Sequence, residues 1–302
     1  MMMKLLVLLS SYNGEKYLRE QVDSLLAQTL DGVEILVRDD GSTDETRTIL
    51  EAYAEQGKLR WIAGDRLGPA RSFWRLIQAC GDADYYAFCD QDDIWDADKL
   101  EIAIEKLRKE EKDTPSLYCG DVRVTDSAGR MTGYLVRYCP VNYGHALIRN
   151  LAPGCTYVFN RAAMELLRQF DAERMGIEHH DWTVYQIIAC LGQIVFDREP
   201  HMSYRQHSGN LIGASNISIV EFLRKVHSFW SGSKKGSRSR QALSLEQIFD
   251  SQMSPFDRNL TAMFAHYRTD NKLKRKLLQA KWIKLQRLEK YLFKLLVVFN
   301  RL

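Results

Sequence analysis

Three carboxylates lie within four positions of the chain, at Asp90, Asp92 and Asp93. An apolar run of strand character, residues 85–89, comes directly before them, and a helical pattern starts at Ala97. Acids this close repel one another, and a hard divalent cation with oxygen ligands is the usual means of holding them together. Alternatively, Asp90 and Asp92 cap the turn and the next helix while Asp93 is solvated.

A fourth acid, Asp181, stands at the start of another helical pattern, which continues through Tyr185, Ile188 and Leu191. A carboxylate in the first turn of a helix is favoured by the helix dipole. Capping this helix is therefore one role for Asp181, and the residue pattern alone does not assign it a second.

The elements that must position these acids form a regular series. Strand, turn and helix alternate four times, which predicts a parallel sheet with covering helices. The four strands are predicted at residues 4–9, 33–37, 59–62 and 85–89. Because ligands bind beyond the carboxyl ends of such strands, we expect Tyr12, Asp40, either Arg66 or Arg71, and the acid cluster to share one crevice.

The middle of the chain is less regular. Further strands are predicted at residues 117–124, 153–159 and 194–196, and Asn160 is a candidate N-cap for a helix through Leu167. Residues 126–150 lack a clear period, so short strands and turns are expected there.

The bulk composition is that of an ordinary globular protein. The 302 residues carry a net charge of +3, with 27% charged and 45% hydrophobic residues, which does not favour a nucleic-acid partner. Six scattered cysteines without a CxxC pair indicate reduced thiols in a cytosolic protein. The apolar N-terminus is expected to be a first strand rather than a signal peptide, and no stretch approaches the ~20 apolar residues of a membrane span.

The composition changes after about Ala214, so we predict a catalytic domain over residues 1–214 and a helical extension over residues 215–302. Ser254 and Pro255 predict a helix start. Residues 272–301 contain ten Lys or Arg against a single acid, Glu289. The apolar side chains of this tail recur at helical spacing, at Leu278, Trp282, Leu285, Leu288, Leu292, Leu295 and Phe299. Such a basic amphipathic helix favours the interface of an anionic membrane, or else docks on its own domain or a second copy.

Five motifs together resemble the ordered motif set of family 2 glycosyltransferases with the GT-A fold. They are Ser10-Ser11-Tyr12-Asn13-Gly14, Arg38-Asp39-Asp40-Gly41-Ser42-Thr43-Asp44, Asp90-Gln91-Asp92-Asp93-Ile94-Trp95, His180-Asp181-Trp182 and Tyr204-Arg205-Gln206-His207. The residues of these motifs are most similar to those of bacterial rhamnosyltransferases of cell-wall or O-antigen polysaccharide synthesis. The resemblance implies an α/β, Rossmann-like GT-A fold with a mostly parallel central sheet, followed here by a C-terminal helical extension.

The resemblance also implies an inverting transfer from a nucleoside-diphosphate sugar. It assigns nucleotide-sugar binding to Ser10, Tyr12, Asp40, Arg71, Asp90 and Gln91. Asp40 is expected to accept from the imide N–H of the base, with Tyr12 packed on or near that base. Arg66 is the alternative to Arg71.

The metal, the base and the acceptor contact follow from the same resemblance. Mg²⁺ or Mn²⁺ is expected on Asp92, with His207 as a further ligand or a donor to phosphate. Asp181 resembles the general base that takes the proton of the acceptor hydroxyl. Trp182 is expected to stack on an acceptor sugar or to lie in the core.

These assignments predict transfer of L-rhamnose from dTDP-L-rhamnose to a lipid-linked saccharide, by a cytoplasmic protein peripheral to the inner face of the cell membrane. The alternatives are a UDP-sugar donor and a membrane-bound scaffold with a degenerate site. A nucleotidyltransferase is disfavoured because the loop at residues 10–14 is not a Gly-rich basic phosphate loop. A homo-oligomer is left open.

Overall fold

The computed structural model describes residues 3–110, 113–135, 140–207, 236–280, 283 and 287–302. Its strands are β1 (Leu5–Ser11), β2 (Val33–Asp39), β3 (Arg60–Ala63), β4 (Tyr85–Asp90), β5 (Ile94–Trp95), β6 (Ser116–Gly120), β7 (Val122–Thr125), β8 (Met131–Leu135), β9 (Val158–Asn160), β10 (Gln193–Asp197) and β11 (Met202–Arg205). Its first helices are α1 (Leu18–Leu26), α2 (Thr46–Glu55), α3 (Pro69–Ala79), α4 (Lys99–Leu107), α5 (Tyr143–Ala146), α6 (Arg161–Arg168), α7 (Ala172–Met175) and α8 (His180–Leu191). Four more follow, α9 (Ser237–Phe249), α10 (Pro255–His266), α11 (Asn271–Leu278) and α12 (Arg287–Val298).

The strand β1 lies inside a seven-stranded sheet because its apolar side chains need cover on both faces. Its residues from Leu5 to Leu9 are all fully buried. The sheet order is β10-β6-β9-β4-β1-β2-β3, and β1 runs parallel to both β2 and β4. Helices α1, α2 and α3 contribute apolar stripes to the core, as their 3.6-residue spacing predicts. The predicted mostly parallel sheet with flanking helices is confirmed.

One strand of this sheet, β9, runs against the rest. It is antiparallel to β4 on one side and to β6 on the other. The beginning of β9 therefore lies at the same edge of the sheet as the carboxyl end of β4. A smaller sheet has the strand order β5-β11-β7-β8, and its strand β5 follows β4 closely along the chain.

Two strands are shorter in the structure than the sequence predicts. Residues 117–124 form two strands in different sheets, β6 and β7, separated at Asp121, whose N–H donates to the Asp197 carbonyl. Residues 153–159 begin with a 3-10 turn, Gly154–Thr156, and only then enter β9. The prediction of a cap at Asn160 is confirmed, since its side chain accepts from the Ala163 N–H at the start of α6.

The chain divides into two compact units. The first comprises Met1–Tyr138, Asn150–Ile188 and Gly192–Gly213, and the second comprises Cys139–Arg149, Ala189–Leu191 and Ala214–Leu302. The second unit is helical where it is described, and its helix α10 begins as predicted, with Ser254 as the cap and Pro255 in the first turn. The predicted boundary at residues 214 and 215 lies outside the described residues.

The basic tail contains two described helices, α11 and α12. Helix α12 buries Phe293 and Val297, and Phe293 packs near Phe264 of the same unit with 6.2 Å between ring centroids. Leu292 and Leu296 are partly buried, while Tyr291, Leu295, Val298 and the following Phe299 are about half exposed. The predicted apolar face is therefore only partly right, and its members Trp282 and Leu285 lie outside the described residues. In the part of the chain that the structure covers, no helix is both long and apolar enough to cross a membrane.

Candidate active site

The carboxyl ends of β2, β1 and β4 meet at one edge of the large sheet. In the strand register, Ser10 lies opposite Arg38 on one side and Asp90 on the other. The side chain of Ser10 donates to Ser72 Oγ at 2.6 Å, and Ser72 belongs to α3. The sequence prediction that these loops gather at one edge is correct.

Asp40 is held in a fully formed hydrogen-bond pocket and is only 3% exposed. Its carboxylate accepts from the buried Arg38 guanidinium, from the Leu67 N–H at 2.9 Å and from the Gly68 N–H at 2.8 Å. Arg38 also donates to Ser72 Oγ at 3.0 Å. A carboxylate has about four acceptor positions, so three donors leave one for a ligand.

Tyr12 is fixed through its backbone, while its ring meets an arginine. The Gln91 side chain accepts from the Tyr12 N–H at 2.8 Å and donates to the Tyr12 carbonyl at 3.0 Å. Its oxygen also accepts from Ser11 Oγ at 2.8 Å. Gln91 therefore joins the end of β1 to the end of β4, a positioning task that the sequence motif did not indicate.

The two candidate arginines differ in position. The Arg66 guanidinium lies over the Tyr12 ring, 4.3 Å from its centroid, in a cation–π arrangement. Arg71 is exposed on α3 and lines a cavity of about 270 Å³ together with Trp74 and Arg168. The structure thus places Arg66, rather than Arg71, against Tyr12.

The acid cluster follows β4 directly. Burial, followed by the negative charges of Asp92 and Asp181, raises the pKa of Asp90 to about 7. Burial and the charges of Asp92 and Asp90 raise the pKa of Asp93 well above its usual range. Asp93 is 1% exposed and accepts from the Arg205 N–H at 3.1 Å. Asp93 therefore fastens β11 to the end of β4, and the expectation that it is solvated is wrong.

Asp92 and His207, the predicted metal pair, are in direct contact. His207 Nε2 lies 2.8 Å from Asp92 Oδ2, and the imidazole stacks on Tyr17 with 4.9 Å between centroids. Arg205 Nε donates to the backbone carbonyl of Asp92 at 3.0 Å and so helps to fix the position of this residue. The end of β11 therefore delivers His207 to the acid cluster.

A thiol stands beside the acids. One ligand atom each from Asp90, Asp93 and Cys155 lies within 4.8 Å of the other two. Burial, followed by the negative charges of Asp93 and Asp90, raises the pKa of Cys155 well above its usual range. A protonated thiol is a poor ligand for Mg²⁺ or Mn²⁺, which prefer carboxylate oxygens. The Asp90 carboxylate suits such an ion, whereas Cys155 does not, and Asp92 is not a member of this group of three.

Asp181 lies in the first turn of α8. It is close enough to Asp90 for its negative charge to help raise the pKa of that carboxyl. Its Oδ1 accepts from the Trp182 N–H at 2.7 Å, and its Oδ2 accepts from Asn150 Nδ2 at 2.7 Å. Gly154 permits the close approach of this helix. A Cβ atom at Gly154 would lie 2.9 Å from the Asp181 Cβ atom and 2.8 Å from His180 Nε2.

The neighbours of Asp181 are buried. His180 stacks on Phe73 with 3.9 Å between centroids, and burial lowers the pKa of His180 to about 4, so its ring is neutral at pH 7. Trp182 is 9% exposed, which leaves little of its ring for an acceptor sugar to stack on.

Sequence reasoning missed a buried lysine behind the acids. Lys99 is 1% exposed, and its ammonium group lies 3.2 Å from the centroid of the Trp95 ring. Burial lowers the pKa of Lys99 to about 8, against the opposing influence of Cys89, Cys155 and Asp93. No pattern in the sequence distinguishes this lysine from Lys106, the other lysine of α4, which is partly exposed.

Comparison with known proteins gives consistent results. The family model described as Glycosyl transferase family 2 matches residues 6–152. The dTDP-rhamnosyl transferase RfbG of Shigella flexneri is 30% identical over 222 residues, which cover 70% of this chain and 75% of that protein. An uncharacterized glycosyltransferase of Rickettsia prowazekii is 27% identical over 237 residues, covering 75% of this chain and 70% of that one.

Solved structures of low sequence identity share the fold. The crystal structure of S. aureus TarS 1-349 is similar with a TM-score of 0.59 at 15% identity, over 99% of this chain and 81% of that one. The same fragment in complex with UDP-GlcNAc is similar with a TM-score of 0.57 at 17% identity, over 98% of this chain and 79% of that one.

Proposed function

The chain belongs to glycosyltransferase family 2, and we propose that it transfers L-rhamnose from dTDP-L-rhamnose, with inversion, to a hydroxyl of a lipid-linked saccharide in bacterial surface polysaccharide synthesis. The observation that carries this proposal is the convergence of Asp90, Asp92 and Asp181 at one strand end. In this proposal Asp181 acts as the base and the neighbouring acids hold the metal ion that binds the diphosphate. The similarity to RfbG, a dTDP-rhamnosyl transferase, supports the donor.

The nucleotide is proposed to bind at the ends of β1 and β2. The remaining acceptor position of Asp40 suits the imide N–H of thymine, and Tyr12 with Arg66 offers a stacked surface for the base. Ser10 stands next to both Asp40's partner Arg38 and Asp90, where the ribose side of the nucleotide would lie.

Asp90 and Asp92 would hold the metal ion, with His207 as a further ligand or as a donor to phosphate. When bound, Mg²⁺ or Mn²⁺ offsets the charge on the departing diphosphate. Asp181 accepts the proton of the acceptor hydroxyl as its oxygen attacks the anomeric carbon from the face opposite the diphosphate. The new C–O bond forms while the bond to dTDP breaks, so dTDP leaves and Asp181 carries the proton.

Donor-dependent thermal stabilisation tests the donor. The purified protein is melted with dTDP-rhamnose, UDP-glucose, UDP-GlcNAc or GDP-mannose, each with and without Mn²⁺, because a ligand that binds only the folded state raises the melting temperature. We expect the largest shift for dTDP-rhamnose with Mn²⁺. A shift confined to a UDP-sugar would show that the donor is that UDP-sugar rather than dTDP-rhamnose. No shift with any donor would favour a scaffold with a degenerate site.

The Asp181→Asn variant tests the chemistry. It keeps the size of the side chain but removes the base, so transfer should fall by about 10²- to 10⁴-fold while the donor-induced melting shift persists. Full transfer by this variant would contradict the assignment of Asp181.

Contact with an anionic membrane surface is proposed for the tail. Tyr291, Leu295, Val298 and Phe299 form one exposed apolar face at helical spacing, and Lys290 and Lys294 are exposed beside it. This combination matches a helix that lies in a lipid interface. The proposal places the protein peripherally on the inner face of the cell membrane, next to a lipid-linked acceptor.

Vesicle sedimentation tests this surface. The full chain should sediment with phosphatidylglycerol vesicles more than with phosphatidylcholine vesicles, and salt should weaken binding. The double variant Leu295→Ser/Phe299→Ser should lose most of this binding. The control Phe256→Ser removes an aromatic ring that is 64% exposed on α10 and should keep it. Equal sedimentation of both variants would contradict the proposal. Loss of a dimer instead, measured by analytical ultracentrifugation, would assign the face to a second copy.

A further inference from the structure

Asp181 is restrained by a hydrogen-bonded side chain outside the motifs. Asn150 Nδ2 donates to Asp181 Oδ2 at 2.7 Å, while the other carboxylate oxygen accepts from the Trp182 N–H. Both oxygens therefore have a fixed donor. Asp181 is nevertheless partly exposed.

The orientation of the Asn150 amide is determined by its surroundings. Its Oδ1 accepts from the Leu151 N–H at 3.0 Å, a group that can only donate, and its Nδ2 also donates to the Ala152 carbonyl at 2.9 Å. The amide nitrogen must therefore face Asp181. An exchange of the nitrogen and oxygen positions would place an oxygen against a carboxylate.

A buried tyrosine fixes Asn150 in turn. Tyr157 is fully buried, and its hydroxyl donates to Asn150 Oδ1 at 2.8 Å. Its carbonyl accepts from the Phe88 N–H at 3.1 Å, which attaches it to the strand that ends at Asp90. The series Tyr157, Asn150, Asp181 thus connects the proposed base to the strand that carries the acid cluster.

We infer that Asn150 and Tyr157 are positioning residues, which hold the Asp181 carboxylate toward the acceptor hydroxyl. This inference rests on the proposed role of Asp181 as the base. The Asn150 amide is neutral, so it orients the carboxylate without the compensating charge of an arginine or lysine, which would make Asp181 a weaker proton acceptor. Tyr157 acts only through Asn150.

Steady-state kinetics of the full chain test the inference. Asn150→Ala should lower kcat roughly 10- to 100-fold, the effect of losing a hydrogen bond to a charged group. Tyr157→Phe should lower it about 3- to 10-fold. The KM for the donor and the donor-induced melting shift should stay unchanged, because the hydrogen bonds described for the two side chains connect them to each other, to Asp181 and to the backbone at residues 151–152. A structural defect alone would not separate kcat from donor binding in this way.

The double variant Asn150→Ala/Tyr157→Phe completes a double-mutant cycle, which measures whether the effects of the two substitutions on kcat are independent. If Tyr157 acts through Asn150, the double variant should be no slower than Asn150→Ala alone. The matched control is Tyr118→Phe, which removes a buried tyrosine hydroxyl that donates to Asp197 at 2.9 Å and should keep kcat. Tyr157→Phe and this control carry the test if Asn150→Ala does not fold.

The outcomes separate the two proposals. Unchanged kcat in Asn150→Ala, or fully multiplicative losses in the double variant, would overturn the positioning role. If Asp181→Asn meanwhile abolishes transfer, only the positioning role fails. If Asp181→Asn transfers normally, the proposed base itself is wrong.

Discussion

The two halves of the crevice hold their acids in opposite ways. At the end of β2, the Asp40 carboxylate is surrounded by donors, with Arg38 and two backbone N–H groups in place. At the end of β4, Asp90 faces further carboxylates, and the pKa of Asp90 is raised to about 7 by burial and then by its acidic neighbours. The first half is complete before any ligand arrives, whereas the second retains electrostatic repulsion that a cation would relieve.

We propose that the Asp40 half recognises the nucleotide and that the Asp90 half carries out the chemistry. A pocket whose carboxylate is already held by three donors presents a rigid surface to a ligand. A cluster of close acids binds a cation the more strongly because their mutual repulsion ends when it binds. Substitutions in the two halves should therefore have different consequences, as the following predictions state from the largest to the smallest.

Asp40→Asn should be the most destabilising change, because it leaves the buried Arg38 guanidinium without its charged partner. Breaking a buried ion pair costs about 3 to 5 kcal/mol of unfolding free energy. Urea unfolding measures the loss. The control Glu105→Gln removes an exposed ion pair with Lys109 and should cost less than about 1 kcal/mol. Equal losses in the two variants would mean that the Asp40 pocket is not preformed.

Gly154→Ala should impair transfer more than stability. The added methyl group would meet the Asp181 Cβ atom at 2.9 Å and displace the start of α8. We expect a cost of about 1 to 3 kcal/mol in urea unfolding and a loss of roughly 100-fold in kcat, as displaced catalytic groups produce. The control Gly81→Ala has no atom within 4 Å of its new Cβ and should change neither quantity.

The acid cluster should make stability depend on pH. The folded state keeps a proton on Asp90 up to about pH 7, because its pKa is raised, whereas the unfolded chain releases it near pH 4. The folded state therefore binds more protons in this window, and its unfolding free energy should fall as the pH rises from about 4 to 7. Asp90→Asn should lack this contribution.

This prediction is measured as the difference between the wild type and Asp90→Asn in urea, with EDTA present. His180, whose pKa is lowered to about 4, has the opposite effect but is present in both proteins. Adding Mn²⁺ at pH 8 should raise the melting temperature of the wild type more than that of the variant. Identical pH profiles would show that the pKa of Asp90 is not raised in solution.

Arg66→Ala should have the smallest effect. A cation–π contact at a solvent-accessible site contributes about 0.5 to 1 kcal/mol, so donor affinity should fall roughly 2- to 5-fold. Arg71→Ala is the comparison, and donor titration by calorimetry measures both. A larger loss in the Arg71 variant would reverse their assignment.

Strand ends and their acids could be predicted from the sequence because hydrophobic runs and turn residues report them locally. The series of parallel strands places Ser10, Asp40 and Asp90 at one edge without knowledge of any side-chain contact. Periodicity alone could not predict that Asp181 lies near Asp90, since 90 residues separate the two positions. The family motifs supplied that proximity, whereas periodicity did not.

The remaining features depend on side-chain geometry that periodicity does not encode. Asn150 and Cys155 fall in or beside a segment without a regular pattern, so their approach to the acids was not predictable. The choice of Arg66 over Arg71 required the position of the Tyr12 ring. The tail was ambiguous because α12 is apolar over most of its circumference, and its buried face could be identified only from packing.

The reversed strand β9 has a further consequence for how this enzyme can change. Because β9 runs against β4, the residues that enter it, 150–157, reach the edge where Asp181 stands. The Asp40 pocket, where we propose that the nucleotide binds, is formed by a separate stretch of the chain within residues 5–72. If the acceptor binds beside Asp181 as proposed, replacement of the segment before β9 would alter that side of the crevice and leave the Asp40 pocket intact, so that a new linkage could evolve by exchange of one short stretch of chain.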